Sequence, residues 1–319
     1  MRSDFWNIDS REEFEQQALE LFKFQAQRCE PFGRYLSLIG CDPTMVESLE
    51  EIRYLPIEIF KSSDVYCGEN PPAKIFTSSS TTGSVPSRHI MADLALYEAA
   101  FVEGFNHFYG DIHIWSLYGL LPSYLEREGS SLIYMVDKLI AMAAGGGFYL
   151  HNHKQLLADM DADPNPKILL GVSYALWDLA ENNPTKLNNT IVMETGGMKG
   201  QREEIHKEQL HKILCNAFGV EQIHSEYGMA ELTSQAYSKG MNRFSCPPWM
   251  KVVAREVNDP FNFLQPNHRG ALNIIDLASR YSCAFIETQD MGVILDDDSF
   301  ILDGRVQNSE IRGCNLLVQ

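Results

Sequence analysis

Apolar residues at Phe14, Ala18, Leu21 and Phe22 recur at intervals of three and four, a spacing that predicts an amphipathic helix near the start of the chain. Ser10-Arg11-Glu12-Glu13 has the spacing of a capping box, in which a hydroxyl satisfies an N–H one turn further on. This segment reads as scaffold. Between about residues 71 and 222 the pattern changes: apolar runs at 131–136, 167–172 and 189–193 read as strands. They alternate with helical stretches such as 201–218, where Ile205, Leu210, Ile213 and Leu214 share a face. Such alternation predicts an α/β fold of mostly parallel sheets with flanking helices and sites at the ends of strands.

After about residue 269 the texture becomes short β-like pieces, 271–277, 281–286, 292–295 and 300–302, separated by acidic, turn-rich residues. These predict a C-terminal antiparallel β region closing the main body. The organisation expected is an α/β core over 1–269 and a β subdomain over 270–319. Residues 259–270, with Pro260, Pro266 and Gly270, suit a boundary and equally suit a surface loop. No internal repeat or heptad seam interrupts this reading.

With 45% hydrophobic and 22% charged residues, the 319-residue chain has the composition of a soluble globular protein. Its 26 basic and 43 acidic side chains give a formal charge of −17, which repels phosphate backbones and anionic lipid, so nucleic acid is not an expected partner. The seven cysteines contain no CxxC pair, which fits a reducing cytoplasm. The first residues pass directly into a charged helical pattern, and the longest apolar run, 139–150, is about half a membrane span. Neither secretion nor membrane insertion is expected.

Candidate chemistry begins at Thr77-Ser78-Ser79-Ser80-Thr81-Thr82-Gly83, six hydroxyl residues before a glycine, directly after Ile75-Phe76. If Ile75-Phe76 end a strand, the turn presents hydroxyls and backbone N–H groups to one point, the geometry that holds a polyphosphate. The Gly-Lys-Ser/Thr ending of a Walker loop is missing. A plain flexible loop has the same composition.

Residues 76–83 resemble the phosphate-binding loop of the acyl-adenylate-forming superfamily. The preceding Leu55-Pro56-Ile57-Glu58-Ile59-Phe60-Lys61-Ser62-Ser63 resembles the corresponding segment of the bacterial-luciferase-associated acyl-protein synthetases. Further segments follow in family order. Glu194-Thr195-Gly196-Gly197-Met198-Lys199 is similar to the segment lining the adenine pocket, and Ser225-Glu226-Tyr227-Gly228-Met229-Ala230-Glu231 to the Tyr-Gly-Met-x-Glu motif. Glu287-Thr288-Gln289-Asp290 resembles the ribose-binding aspartate motif, and Asp303-Gly304-Arg305 the hinge motif.

The resemblance implies that Tyr227 stacks on adenine, that Glu231 ligates Mg²⁺ and is catalytic, and that Asp290 and Arg305 hold the ribose. It implies ATP and Mg²⁺ as cofactors and a carboxylic acid as substrate. Each residue also has an ordinary reading: a half-buried aromatic, a helix N-terminal acid, an exposed ion pair. The chain departs from the family at three points. Ser80 stands where glycine is usual, Ala230 stands where threonine is usual, and the basic residue after the loop is replaced by Ser87-Arg88.

No second domain of about a hundred residues with a catalytic lysine is expected after the hinge, because the sequence reaches only Gln319. The acyl-protein synthetase branch shares that truncation, and Gly313-Cys314-Asn315 matches its terminal cysteine. The resemblance therefore makes Cys314 the thiol that takes the acyl group as a thioester and passes it to a protein partner, a reductase or carrier. A near-terminal thiolate suits this chemistry, and a small buried hydrophobe is the competing reading.

His151-Asn152-His153 lacks a third ligand at metal spacing. Gly145-Gly146-Gly147 lacks the context of a dinucleotide fingerprint, and Trp115, Tyr118, Leu120 and Leu121 suit either an acyl pocket or core. The function expected is ATP-dependent acyl adenylation with transfer to a cysteine. The alternatives are an acyl-CoA or carrier-protein ligase, resembling phenylacetate–CoA ligases, and a non-catalytic nucleotide- or acyl-binding subunit.

Overall fold

The computed structural model describes residues 5–78, 85–121, 129–197, 202–203 and 205–306. Helices α1 (Arg11–Arg28) and α2 (Glu30–Leu38) open the chain. Ser10 Oγ accepts from Glu13 N at 3.1 Å, and Phe14, Ala18, Leu21 and Phe22 are buried, as the periodicity predicts. The same helix buries Gln25, whose amide donates to Ser279 O (2.8 Å) and Arg280 O (3.0 Å) and accepts from Ala284 N (2.9 Å). A fully satisfied buried amide thus docks α1 onto a turn more than 250 residues away.

There follow β1 (Leu55–Pro56), the short α3 (Ile59–Ser62), and the hairpin strands β2 (Lys74–Thr77) and β3 (Arg88–Met91). The α/β part comprises α4 (Leu94–Tyr109), β4 (Ser116–Leu120), α5 (Ser131–Met142), β5 (Gly145–Tyr149), α6 (His153–Ala162), β6 (Lys167–Val172), α7 (Ser173–Asn182), β7 (Thr190–Thr195), α8 (Lys207–Phe218) and β8 (His224–Tyr227). Beyond these lie β9 (Ala236–Ser238), β10 (Arg243–Ser245), β11 (Met250–Arg255), β12 (Arg269–Asp276), β13 (Phe285–Ile294) and β14 (Phe300–Arg305).

One 12-stranded sheet runs β11-β12-β13-β14-β10-β9-β8-β7-β6-β4-β5, with β1 beside β13. Strands β5, β4, β6, β7 and β8 pair in parallel, and pairing turns antiparallel from β9 onward. Every residue of β6 is buried, so both faces of the sheet are covered at this strand, as an apolar run without alternation requires. No described helix is long and apolar enough to cross a membrane.

Two local expectations are corrected. Residues 131–136 are not a strand but the first half of α5, started by Ser130 Oγ accepting from Ile133 N at 3.3 Å. Met135, Val136 and Leu139 then bury one helical face; a short apolar run alone does not distinguish buried helix from strand. Of the pieces at 281–286 and 292–295, residues 285–286 and 292–294 belong to one strand, β13, which runs unbroken through the polar Glu287–Asp290, while 281–284 lie outside any strand.

Candidate functional site

A cavity of about 880 Å³ lies at the carboxyl ends of β7 and β8, walled also by the β2–β3 hairpin and by β13 and β14. Thr77, Ser78, Gly196, Gly197, Tyr227, Gly228, Glu231, Asp290 and Arg305, scattered over more than 200 positions, all line it. Of the other expected site residues, Ser79, Ser80, Thr81, Thr82, Gly83 and Cys314 lie outside the described residues, as do Met198 and Lys199.

Ile75-Phe76 sit in β2, which ends at Thr77 and pairs antiparallel with β3 to form a hairpin. Ser78 N donates to Ser87 O at 3.0 Å and Ser87 N to Ser78 Oγ at 2.9 Å, which holds the base of that hairpin closed. Arg88 pairs with Asp64 at 2.7 Å, and it is Lys61, from α3, that brings a cation to the cavity wall.

Glu231 is 5% exposed yet faces the cavity. Burial pushes its carboxyl above the usual range, opposed by a hydrogen bond from Ser87 and by the charges of Lys61 and Arg305. The loop bearing it is fixed by His89: Nδ1 donates to Ala230 O at 2.8 Å, and Nε2 accepts from Ser282 Oγ at 2.9 Å. A carbonyl only accepts, which assigns the hydrogen to Nδ1. Burial holds this imidazole down at about 4, so it is neutral at physiological pH.

Asp290 and Arg305 are register partners on β13 and β14. Asp290 Oδ1 accepts from Arg305 Nε at 2.9 Å and Oδ2 from the Tyr227 hydroxyl at 2.8 Å, so one carboxylate ties three strands together at the cavity wall. The Tyr227 ring is held edge-on by Phe244 and Phe300, with centroids 6.0 and 5.6 Å away. Gly196 turns the chain at the end of β7 with φ +69°, a left-handed conformation that favours glycine. Its carbonyl lies 3.1 Å from Ser173 Oγ.

Glu194 opens the segment similar to an adenine-pocket lining, and its ion pair with Lys207 has no signal in the sequence. Glu194 is 1% exposed, lines the cavity, pairs with Lys207 Nζ at 2.7 Å and accepts from Ser173 Oγ at 2.9 Å. Burial works against the charge, but the Lys207 ammonium at 2.7 Å outweighs it, with the His211 ring 3.7 Å away, and holds the carboxyl at about 2. A folded value below the ordinary 4.5 contributes stability that is present above pH 4.5 and lost as pH falls towards 2, on the order of 3 kcal/mol. Replacing Lys207 with methionine is therefore expected to lower stability at pH 7 and flatten its fall between pH 4.5 and 2, measured by urea unfolding at both pH extremes. Parallel acid limbs in the two proteins would refute the pairing.

Trp115, Tyr118, Leu120 and Leu121 do not line this cavity. Tyr118, Leu120 and Leu121 are core, with the Tyr118 hydroxyl bound to Asp163 at 2.8 Å. Among the described residues, no cluster of three His, Cys, Asp or Glu side chains could hold a metal. In chemical terms the cavity offers hydroxyls and the cations Lys61, Lys207 and Arg305 to anionic oxygens, a carboxyl suited to a hard cation, and a braced aromatic-carboxylate wall.

No family model matches the chain, and no curated protein matches it in sequence. Solved structures do match in fold. MatB from Rhodopseudomonas palustris with ATP bound is 13% identical, with a TM-score of 0.56, over 75% of this chain and 49% of its own. A 2-hydroxyisobutyryl-CoA ligase in the postadenylation state, in complex with R3-HIB-AMP, is 12% identical, with a TM-score of 0.70, over 92% of this chain and 67% of its own. The luciferase-like enzyme of the nonluminescent Zophobas morio mealworm is 15% identical, with a TM-score of 0.55, over 77% and 59%. The chain spans about half the length of the MatB structures it matches. At these identities the likeness establishes the fold: parallel strands flanked by helices and continued by an antiparallel region.

Proposed function

We propose that this chain is an AMP-forming acid–thiol ligase: it activates a carboxylic acid with ATP and transfers the acyl group to a cysteine thiol. The observation that carries the reading is the convergence of the nine described motif residues on one cavity, with Asp290 bracing Tyr227 and Arg305 at its wall. A substrate carboxylate oxygen attacks the α-phosphorus, the bond to the bridging oxygen breaks, and pyrophosphate leaves. A thiolate then attacks the acyl carbonyl and AMP departs.

Both steps require anions to be brought together and held. Thr77 and Ser78 offer hydrogen bonds to phosphate oxygens, Lys61 and Arg305 offset their charge, Asp290 and Arg305 take the ribose hydroxyls, and Tyr227 forms the wall against adenine. The oxygen donor set fits Mg²⁺, with Glu231 as its ligand. Bound there, the ion would neutralise charge on the phosphates.

For the acceptor, the described cysteines support Cys314 by contrast. Burial pushes Cys29 up to about 11 and Cys67 and Cys246 up to about 12, and raises Cys283, Cys41 and Cys215 above the ordinary thiol value. None of these six favours the nucleophilic thiolate. From Cys314 the acyl group would pass to a reductase or carrier protein. The second reading, transfer to coenzyme A, is favoured by the likeness to the CoA ligase over 92% of the chain.

ATP–pyrophosphate exchange with Mg²⁺ across an acid panel, followed by intact-mass analysis, tests both. A hydroxylamine-sensitive adduct that disappears in Cys314→Ser while exchange persists supports the internal thiol. Thioester formed only on added CoA selects the second reading. No exchange with any acid would overturn both and leave a binding subunit.

A further inference from the structure

Resting on the adenylation reading, we infer that Glu226 selects the acid: this site takes a carboxylic acid bearing a hydrogen-bond-donating substituent, amino or hydroxyl, in preference to a plain alkyl acid. Glu226 precedes Tyr227 on β8, and the alternation of a strand turns the two side chains to opposite faces. Tyr227 faces Asp290 and Phe300, whereas Glu226 meets Thr195, its register partner on β7. On that side the cavity is continued by the apolar groups of Tyr97, Leu132 and Met135.

Glu226 is 7% exposed and lines the cavity. Among the described residues its one hydrogen bond comes from Thr195 Oγ1 and reaches Oε2. Oε1 lies against Gly228, where an added Cβ would come within 2.5 Å of it, so the glycine is the space in which this oxygen sits. Of the phenols around it, Tyr97 donates to Ser131 O at 3.0 Å and Tyr109 is bound to His224 Nδ1 at 3.1 Å.

An acyl tail entering past Tyr97 excludes water from Oε1, and a plain alkyl tail leaves that oxygen without a partner. A hydroxyl or ammonium on the tail supplies the missing donor. Burial, with Glu194 adding to it and Thr195 and Lys207 opposing, pushes the Glu226 carboxyl up to about 7. It therefore gains charge readily when a cation arrives. Besides Glu194 on β7 and Lys207 on α8, the titratable groups coupled to it are Tyr97 and Tyr109 on α4 and Tyr237 on β9, phenols that stay neutral in this range.

The test measures kcat/KM for ATP–pyrophosphate exchange with acids of four to six carbons, each as the plain, hydroxy and amino compound, the substituent stepped along the chain. At least one substituted acid should exceed its plain counterpart roughly tenfold or more. Glu226→Gln should reduce an amino preference and spare a hydroxyl preference; Glu226→Leu should invert both towards the plain acid. If the amino acid series is preferred, its kcat/KM should rise with pH through about 7 in the wild type and not in Glu226→Gln. Plain acids that match or exceed every substituted one, or a substrate ratio unmoved by both variants, overturn this inference and leave adenylation standing. Exchange with no acid at all overturns adenylation and this inference with it.

Discussion

Asp290→Ala is expected to cut ATP–pyrophosphate exchange by at least about a hundredfold, more through the KM for ATP than through kcat. Both carboxylate oxygens are occupied, one by Arg305 Nε at 2.9 Å and one by the Tyr227 hydroxyl at 2.8 Å. Two charge-assisted hydrogen bonds at ~1.5–3 kcal/mol each correspond to at least that factor when both are lost. The alanine variant also strands a buried phenol and removes the carboxylate that holds an exposed arginine at the cavity wall. Asp290→Asn separates geometry from charge: its single amide oxygen serves one of the two donors, so its loss should be intermediate. Exchange within about threefold of wild type in Asp290→Ala, with normal unfolding, would show that this wall is architectural and does not meet nucleotide.

Most of the residues that converge on the cavity were legible because they sit at or just beyond a strand end, where chain order and site geometry coincide; Asp290, inside β13, is the exception. Thr77 ends β2, Thr195 precedes Gly196-Gly197, Tyr227 ends β8, and Arg305 ends β14. What escaped the sequence depends on pairing across elements. Glu194 and Lys207 are 13 positions apart with a strand end and a helix start between them, and only tertiary packing brings the ammonium to 2.7 Å. Glu226 looks like an ordinary polar residue of a strand until burial and a single hydroxyl partner give it significance. The unbroken β13 was hidden for a related reason. Its polar middle reads as a loop, yet Glu287 is taken up by Arg255 at 3.0 Å and Asp290 by Arg305, so these charges can sit inside a strand. The strand reading of 131–136 failed on the opposite count, because an apolar run carries no period of its own.

Asp276→Ala should cost the fold about 3–5 kcal/mol, the largest loss of stability expected from a single side chain here. Asp276 is fully buried at the end of β12. Its Oδ2 accepts from Thr233 N and Ser234 N, both at 2.9 Å, and from Ser279 Oγ at 3.0 Å. Its Oδ1 accepts from Ser234 Oγ at 2.6 Å and Ala278 N at 3.1 Å. Trp249 Nε1 adds a bond to Ser234 Oγ at 2.9 Å, extending the network into the core. Truncation orphans three buried backbone N–H groups at once, and water has no route to replace the acceptor. Because Thr233 and Ser234 lie two and three residues after Glu231, the same substitution should loosen the segment that His89 anchors from its other end, lowering exchange activity even where the protein is fully folded. Urea unfolding gives the first quantity through the midpoint, with the slope unchanged, and amide hydrogen exchange at Thr233 and Ser234 gives the second. A shift of less than about 1 kcal/mol, with those amides still protected, would mean that the loop is held by its own turn and that Asp276 is incidental to it.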